Sequence, residues 1–221
     1  MAGALNTDPN LTSTFRSAAI TAASNTIRGT ANVDFLRGTS GNDNIFGLAG
    51  SDTITATSGN DLIDGGDGFD SVQYSLNTAI TLGPTGTINK GQFGGRDTLR
   101  SIERIVGQAG FANTVDASSI TSGNTSIEVN LGGRFINVRN IPGIGFRSFG
   151  IENFVNARGT SGTDVFTGSD SNNTLSGFGG DDFFNATAGN DRIEGGTGFD
   201  TIDYTPLNVE ITLQPMGMVN K

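Results

Sequence analysis

In GTSGNDNIFGLAGSDTITATSGNDLIDGGDGFDSVQ the aspartates at positions 43, 52, 61 and 70 stand nine residues apart. A period this short limits the fold severely, because nine residues cannot enclose a core and must bury their apolar side chains against copies of themselves. Read in nines from Gly29, the chain gives GTANVDFLR, GTSGNDNIF, GLAGSDTIT, ATSGNDLID and GGDGFDSVQ. The sixth place is acidic in all five units (Asp34, Asp43, Asp52, Asp61 and Asp70), and the eighth is aliphatic (Leu36, Ile45, Ile54, Ile63 and Val72). The frame returns from Gly159 as GTSGTDVFT, GSDSNNTLS, GFGGDDFFN, ATAGNDRIE and GGTGFDTID. There Asp164, Asn173, Asp182, Asp191 and Asp200 take the sixth place, and Phe166, Leu175, Phe184, Ile193 and Ile202 the eighth. A flexible Gly/Ser/Asn linker has no reason to put an apolar residue at every eighth place.

Composition removes most other chemistries. The 221 residues include 34 glycines and only 34% hydrophobic residues, so the apolar layer is thin and repetitive. Without cysteine or histidine there is no disulfide framework, and the commonest zinc ligand and general base is missing. Oxygen ligands remain. A net charge of -9, with two lysines and eleven arginines scattered along the chain, leaves no basic patch for nucleic acid. No apolar run has the length of a membrane helix, and the N-terminal segment does not read as a cleaved signal peptide.

The units resemble the G-G-x-G-x-D-x-U-x nonapeptide of the repeats-in-toxin (RTX) family, the hemolysin-type calcium-binding repeats of parallel β-helices. Glycines at the first and fourth places permit the positive φ of a tight turn, and x-U-x makes a short strand with one inward side chain. Two nonapeptides form one coil of about 18 residues, and successive coils stack about 4.8 Å apart. The fold expected is therefore all-β, a right-handed parallel β-roll or β-helix solenoid, with two nonapeptide blocks joined by further solenoid coils. Alternate units share an edge, so Asp34, Asp52 and Asp70 form one column and Asp43 and Asp61 the other. In the second block Asp164, Asp182 and Asp200 face Asn173 and Asp191.

Carboxylates stacked about 5 Å apart repel by about 1 kcal/mol in water and about 3–4 kcal/mol at an effective dielectric near 20. A hard divalent cation between the turns offsets this, and Ca2+ suits a flexible all-oxygen shell better than Mg2+. The resemblance implies the ligands: Asp34, Asp43, Asp52, Asp61, Asp70, Asp164, Asp182, Asp191 and Asp200, with turn carbonyls near Gly41, Gly50, Gly59, Gly68, Gly180, Gly189 and Gly198. The pairs Asp52 with Asp70, Asp43 with Asp61, and Asp182 with Asp200 are expected to be the best sites.

A longer period overlies the short one. QYSLNTAITLGPTGTINK (73–90) is echoed by DYTPLNVEITLQPMGMVNK (203–221), and FRSAAITAASNTIRGT (15–30) by FRSFGIENFVNARGT (146–160), giving modules of about 130 residues. The expected organisation is a partial module and N-terminal cap over 1–28, the first block over 29–74, and intervening coils over 75–158. The second block then covers 159–204, and 205–221 starts a truncated further segment. The chain thus reads as a fragment of a longer array or as a unit that stacks end to end. Between the blocks, brief β-rich runs such as SIEVNLGG and RFINVRNIPG lie between Gly, Pro and Asn. DTLRSIERIVG (97–107) also reads as strand rather than helix.

Catalysis would need carboxylates such as Glu103 with Arg104, or Asp97 with Arg100; Glu103 and Glu152 read more simply as solvated outward residues, so no catalytic residue is assigned. Rows of threonine (Thr39, Thr57, Thr160 and Thr187) sit at turns rather than on a flat strand face, which argues against an ordered-surface binder. The expectation is a non-enzymatic, calcium-folded β-roll with a structural or adhesive role in a bacterial surface layer, filament or secreted assembly. The alternative is the non-catalytic repeat region of a secreted carbohydrate-active or lytic enzyme. Expected partners are calcium ions, a second copy end to end, and a cell-surface glycan or protein. The expected location is extracellular or on a bacterial surface, reached by a non-classical or type I route.

Overall fold

The computed structural model describes residues 25–91, 94–122, 124–207, 212–213 and 219–220. Most of the expected cap over 1–28 and of the segment after 205 lies outside the described residues. The first block contributes β1 (Asn25–Arg28), β2 (Phe35–Arg37), β3 (Asp43–Ala49), β4 (Thr53–Ala56), β5 (Leu62–Asp67) and β6 (Ser71–Tyr74). The joining stretch contributes β7 (Thr81–Leu82), β8 (Thr87–Asn89), β9 (Arg96–Arg100), β10 (Arg104–Val106), β11 (Asn113–Asp116), β12 (Ser126–Asn130), β13 (Phe135–Ile141), β14 (Gly145–Glu152) and β15 (Phe154–Arg158). The second block adds β16 (Val165–Thr167), β17 (Thr174–Gly179), β18 (Phe183–Asn185), β19 (Arg192–Thr197) and β20 (Thr201–Asp203).

Within each block consecutive strands alternate between two sheets, and each strand pairs in parallel with the strand two further on. Register follows the coil: Asn25 pairs with Asp43, Thr53 with Ser71, and Thr174 with Arg192, each 18 residues apart. One sheet runs β1-β3-β5-β9-β8-β7-β11-β15-β17-β19 and the other β2-β4-β6-β10-β14-β13-β12-β16-β18-β20, ten strands each. The parallel all-β roll expected from the nonapeptides is the fold that forms, and DTLRSIERIVG is strand, β9 and β10.

The joining stretch departs from plain winding. β7, β8 and β9 form an antiparallel meander in one sheet, and β12, β13 and β14 form another in the other sheet. Connection length explains this, because a parallel return needs a crossover of about a dozen or more residues. Only Gly83-Pro84-Thr85-Gly86 lies between β7 and β8, closed by the Gly83 N–H to Thr87 carbonyl bond (2.8 Å) with Gly86 at φ 82°. Each meander runs backward through its sheet, so β9 and β10 extend the first block while β11 and β12 lead into the second.

The core is two ribbons of eighth-place side chains. Leu36, Ile54, Val72 and Ile105 align across β2, β4, β6 and β10, and Ile27, Ile45, Ile63 and Leu99 across β1, β3, β5 and β9. All eight are buried, each contributing about 1.5–3 kcal/mol relative to exposure. In the second block Phe166 stacks on Phe184 at 5.0 Å between ring centroids. Ile193 is partly buried, and Ile202, on the last strand of its sheet, is 41% exposed.

Candidate metal centre

The sixth-place aspartates turn inward. Beyond the first coil of the first block, each uses one carboxylate oxygen to accept a backbone N–H from the coil before it. Asp34 N–H donates to Asp52 Oδ1 (2.8 Å), Asp52 N–H to Asp70 Oδ1 (2.7 Å), and Asp43 N–H to Asp61 Oδ1 (2.9 Å). In the second block Asp164 N–H donates to Asp182 Oδ1 (2.9 Å), Asp182 N–H to Asp200 Oδ1 (3.1 Å), and Asn173 N–H to Asp191 Oδ1 (3.0 Å). The columns expected from the spacing therefore exist as carboxylate-to-backbone ladders.

Both first-block columns also run past the repeats. Asp61 N–H donates to Asp97 Oδ1 (3.0 Å), and Asp70 N–H to Glu103 Oε2 (2.7 Å). Glu103 was expected to be a solvated outward residue; instead its longer side chain reaches in to serve as the next rung. Asp97, considered above only as a catalytic acid, is fully buried and lies 36 residues beyond Asp61, twice the coil length. That multiple of 18 is a signal the sequence carried. For Glu103, 33 residues beyond Asp70, no such signal exists. Glu152, the other expected outward acid, pairs with Arg104.

The second carboxylate oxygen separates the third and fifth units from the others. At Thr39 and Thr160 in the second place, the backbone N–H and hydroxyl cover that oxygen: Thr39 donates to Asp43 Oδ2 from N–H (2.6 Å) and from Oγ1 (3.0 Å), and Thr160 N–H donates to Asp164 Oδ2 (2.6 Å), whereas the Thr57 hydroxyl turns to the Thr39 carbonyl. Thr30 N–H covers Asp34 Oδ2 in the same way (2.5 Å), and Ser169 N–H reaches Asn173 Oδ1 (2.7 Å). Thr39 and Thr160 are buried, so the threonine rows face the turns rather than an outer surface. In the third and fifth units the second place is Leu48, Gly66, Phe178 or Gly196, all with φ between 75° and 113°. The left-handed backbone takes the N–H away, and Asp52, Asp70 and Asp182 each keep a buried Oδ2 with no hydrogen-bond partner.

These oxygens face backbone carbonyls. A Cβ added to Gly47 would collide with both Asp52 Oδ2 and the Gly65 carbonyl; on Gly177 it would collide with Asp182 Oδ2 and the Gly195 carbonyl, and on Gly65 with Asp70 Oδ2 and the Ser101 carbonyl. The first-place glycine thus leaves a cradle in which a carboxylate oxygen and a carbonyl from the next turn converge. On the opposite edge, the space beside Gly38 and Gly168 is taken by the hydroxyls of Thr57 and Thr187, and the first place is Ala56 or Ala186. Carbonyls of Gly41, Gly50 and Gly180 stack against the fourth-place glycines Gly59, Gly68 and Gly198 of the following coil. Those fourth-place glycines, with Gly189, have positive φ. The first-place carbonyls of Gly65 and Gly195 belong with the carboxylates as well. Among the described residues no three acidic side chains surround one point, so carbonyls must complete any cation's shell.

Electrostatics mark the same atoms. Burial pushes Asp52 and Asp70 above the usual carboxylate range, and it carries Asp164 to about 6 and Asp182 to about 7. The Asp61 column ends differently. Lys90 is fully buried, with Nζ donating to Asp61 Oδ2 (3.0 Å), Asp97 Oδ1 (2.5 Å) and the Thr57 carbonyl (2.6 Å). Tyr74 donates its hydroxyl to Asp97 Oδ2 (2.9 Å). Desolvation carries Asp97 to about 6 although Lys90 pulls the other way.

Three of the stacked glycine turns, at Asp52, Asp70 and Asp182, present a partnerless buried carboxylate oxygen opposite a backbone carbonyl, a donor set of the kind that could hold a hard cation. The RTX calcium-binding nonapeptide repeat matches four times, over residues 21–54, 37–72, 158–193 and 185–203, and the two blocks belong to that family. These repeats bind Ca2+ and typify secreted proteins, and as modules they are non-catalytic. No curated protein matches the chain.

Proposed function

We propose that the protein is a calcium-folded structural or adhesive β-roll of a bacterial surface layer, extracellular filament or secreted assembly, with calcium held on one edge of each block. The observation that carries the reading is the set of buried, partnerless Oδ2 atoms of Asp52, Asp70 and Asp182. Asp52 with Asp70 and the Gly65 carbonyl would hold one ion, and Asp182 with Asp200 and the Gly195 carbonyl another; the turn formed by Ser101 and Glu103 would extend the first set. Asp43 and Asp61, also expected to hold calcium, have their outer oxygens covered by Thr39 and Lys90, and Asp191 shares its edge with them. Asp34 and Asp164, covered by Thr30 and Thr160, would start the ladders.

Calcium bound only by the folded chain adds RT ln(1 + [L]/Kd), about 2.7 kcal/mol per site at a hundredfold excess over Kd. Millimolar calcium outside a cell would then hold together coils that micromolar calcium inside would not, which suits an exported chain. A non-enzymatic role is supported by Asp97 and Glu103, the acids best placed for catalysis, being used as ladder rungs. Among the described residues no helix is long and apolar enough to cross a membrane.

Far-UV circular dichroism and sedimentation velocity, in chelator and then during titration with Ca2+ or Mg2+, test this. A Ca2+-specific gain of β signal with compaction is expected, and growth of the sedimenting species with protein concentration would add end-to-end assembly. A β signal unchanged between chelator and calcium would refute the calcium-folded reading.

A further inference from the structure

The calcium reading leaves one buried constellation unused: Lys90, Asp97, Asp61 and Tyr74, each no more than 2% exposed. Lysine and aspartate are almost never fully buried unless paired, and here two acids and a phenol surround a single amine. The backbone fixes them. Lys90 follows β8, its N–H donates to the Gly95 carbonyl (2.9 Å), and Asp97 stands on β9 opposite Ile88. The intervening turn packs Gly95 directly on the Gly59 carbonyl of the first block.

We propose that Lys90 and Asp97 condense into an intramolecular isopeptide bond, with Asp61 as proton carrier. Nζ already contacts Asp97 Oδ1 at 2.5 Å, so amine and carboxyl are held together in the buried site. Asp61 Oδ2, 3.0 Å from Nζ on another side, is positioned to take the proton that frees the amine lone pair. Nζ then bonds to Cγ of Asp97. The Tyr74 hydroxyl, on Oδ2, stabilises the charge that develops there. Asp61 hands that proton to Oδ1, accepts a second from the newly bonded nitrogen and passes it to Oδ1 as well, so that the C–O bond breaks with water as the leaving group. The ammonium and the carboxylate become one amide and one water: two nitrogen-bound hydrogens leave with Oδ1, the third stays on the amide nitrogen, and Asp61 ends as it began. Contact at this distance in a site closed to water favours condensation, since held reactants reach effective concentrations of about 10⁵ M or more. The amide N–H that remains keeps an acceptor in Asp61 or the Thr57 carbonyl. The bond would staple the hairpin that carries the chain out of the first block, at the end of the edge where threonine and alanine fill the cation cradle.

Mass spectrometry of the full chain, purified in calcium and incubated to completion, decides. The expected intact mass is lower than the sequence mass by about 18 Da, one water. After denaturation trypsin should fail to cut at Lys90 and should yield residues 38–96 joined to the peptide 97–100. Asp97→Ala and Lys90→Arg should restore the full mass, and Asp61→Asn should slow or abolish the loss. An intact wild-type chain at its full sequence mass, cleaved normally after Lys90, overturns the proposal and leaves the cluster as a buried ion pair. That result would not touch the calcium reading, which the dichroism titration tests separately.

Discussion

Asp182→Asn separates the two jobs of a ladder aspartate. Asparagine keeps an oxygen that can accept the Asp164 N–H, now bonded at 2.9 Å, and the fold already tolerates it, since Asn173 holds the equivalent place one unit earlier with Nδ2 donating to the Val155 carbonyl (2.9 Å). What the substitution removes is the charge on a side chain 2% exposed, whose pKa is carried to about 7 by burial. From an ordinary value of 3.8 that shift corresponds to about 2–4 kcal/mol of instability at pH 8 in the calcium-free fold. In saturating calcium the same charge is an asset, and a site at a thousandfold excess over Kd is worth about 4.1 kcal/mol, enough to outweigh that penalty. The effect should therefore change sign. Denaturant midpoints at pH 8 should show Asp182→Asn more stable than the parent in chelator and less stable in millimolar calcium. Equal destabilisation in both would mean that the carboxylate is only a hydrogen-bonding cap, and the reasoning about its free oxygen would fail.

Gly47→Ala and Gly177→Ala place a Cβ against the carboxylate and carbonyl oxygens of the cradle and should lower calcium affinity at least tenfold by calorimetry, whereas Ala56→Gly on the opposite edge should leave affinity unchanged. Asp52→Ala and Asp182→Ala should weaken calcium binding more than Asp43→Ala or Asp61→Ala; equal losses from all four would put the ions on both edges. In chelator, the raised pKa values of Asp164 (about 6) and Asp182 (about 7) make their folded forms bind protons more tightly than the unfolded chain. Their contribution is then fully present below about pH 3.8 and lost as pH rises to about 7, so melting temperature should climb on acidification from pH 8 to 5. Saturating calcium, which favours the carboxylates ionised, should reverse that slope. Glu103→Ala removes the acceptor for the Asp70 N–H (2.7 Å) and should cost about 1–3 kcal/mol, against almost nothing for a free surface acid.

The nine-residue period by itself determined the coil, the two columns of acids and the identity of the core. Those follow from local rules: a glycine turn, a three-residue strand and one inward side chain repeat wherever the pattern repeats, so Asp34, Asp52 and Asp70 had to align as soon as two units made a coil. The period also pointed to calcium, because it stacks carboxylates with only Arg37 and Arg192 inside the repeats to balance them. It treated both edges alike, however. The third units differ from the others because a second-place threonine such as Thr39 presents an N–H and a hydroxyl to the aspartate, while Leu48 and Phe178 adopt the positive φ that withdraws the N–H. The backbone conformation of a leucine or phenylalanine in a tight turn depends on the coils stacked above and below it, and no local propensity predicts it. Nor does the period dictate that short Gly/Pro links fold the joining stretch into two backward meanders. Only that topology brings Glu103 beneath Asp70, and Lys90 and Asp97 beneath Asp61. Contacts made across 29 to 36 residues of irregular chain are decided by where the sheets put the strands, and the tertiary structure alone supplies that placement.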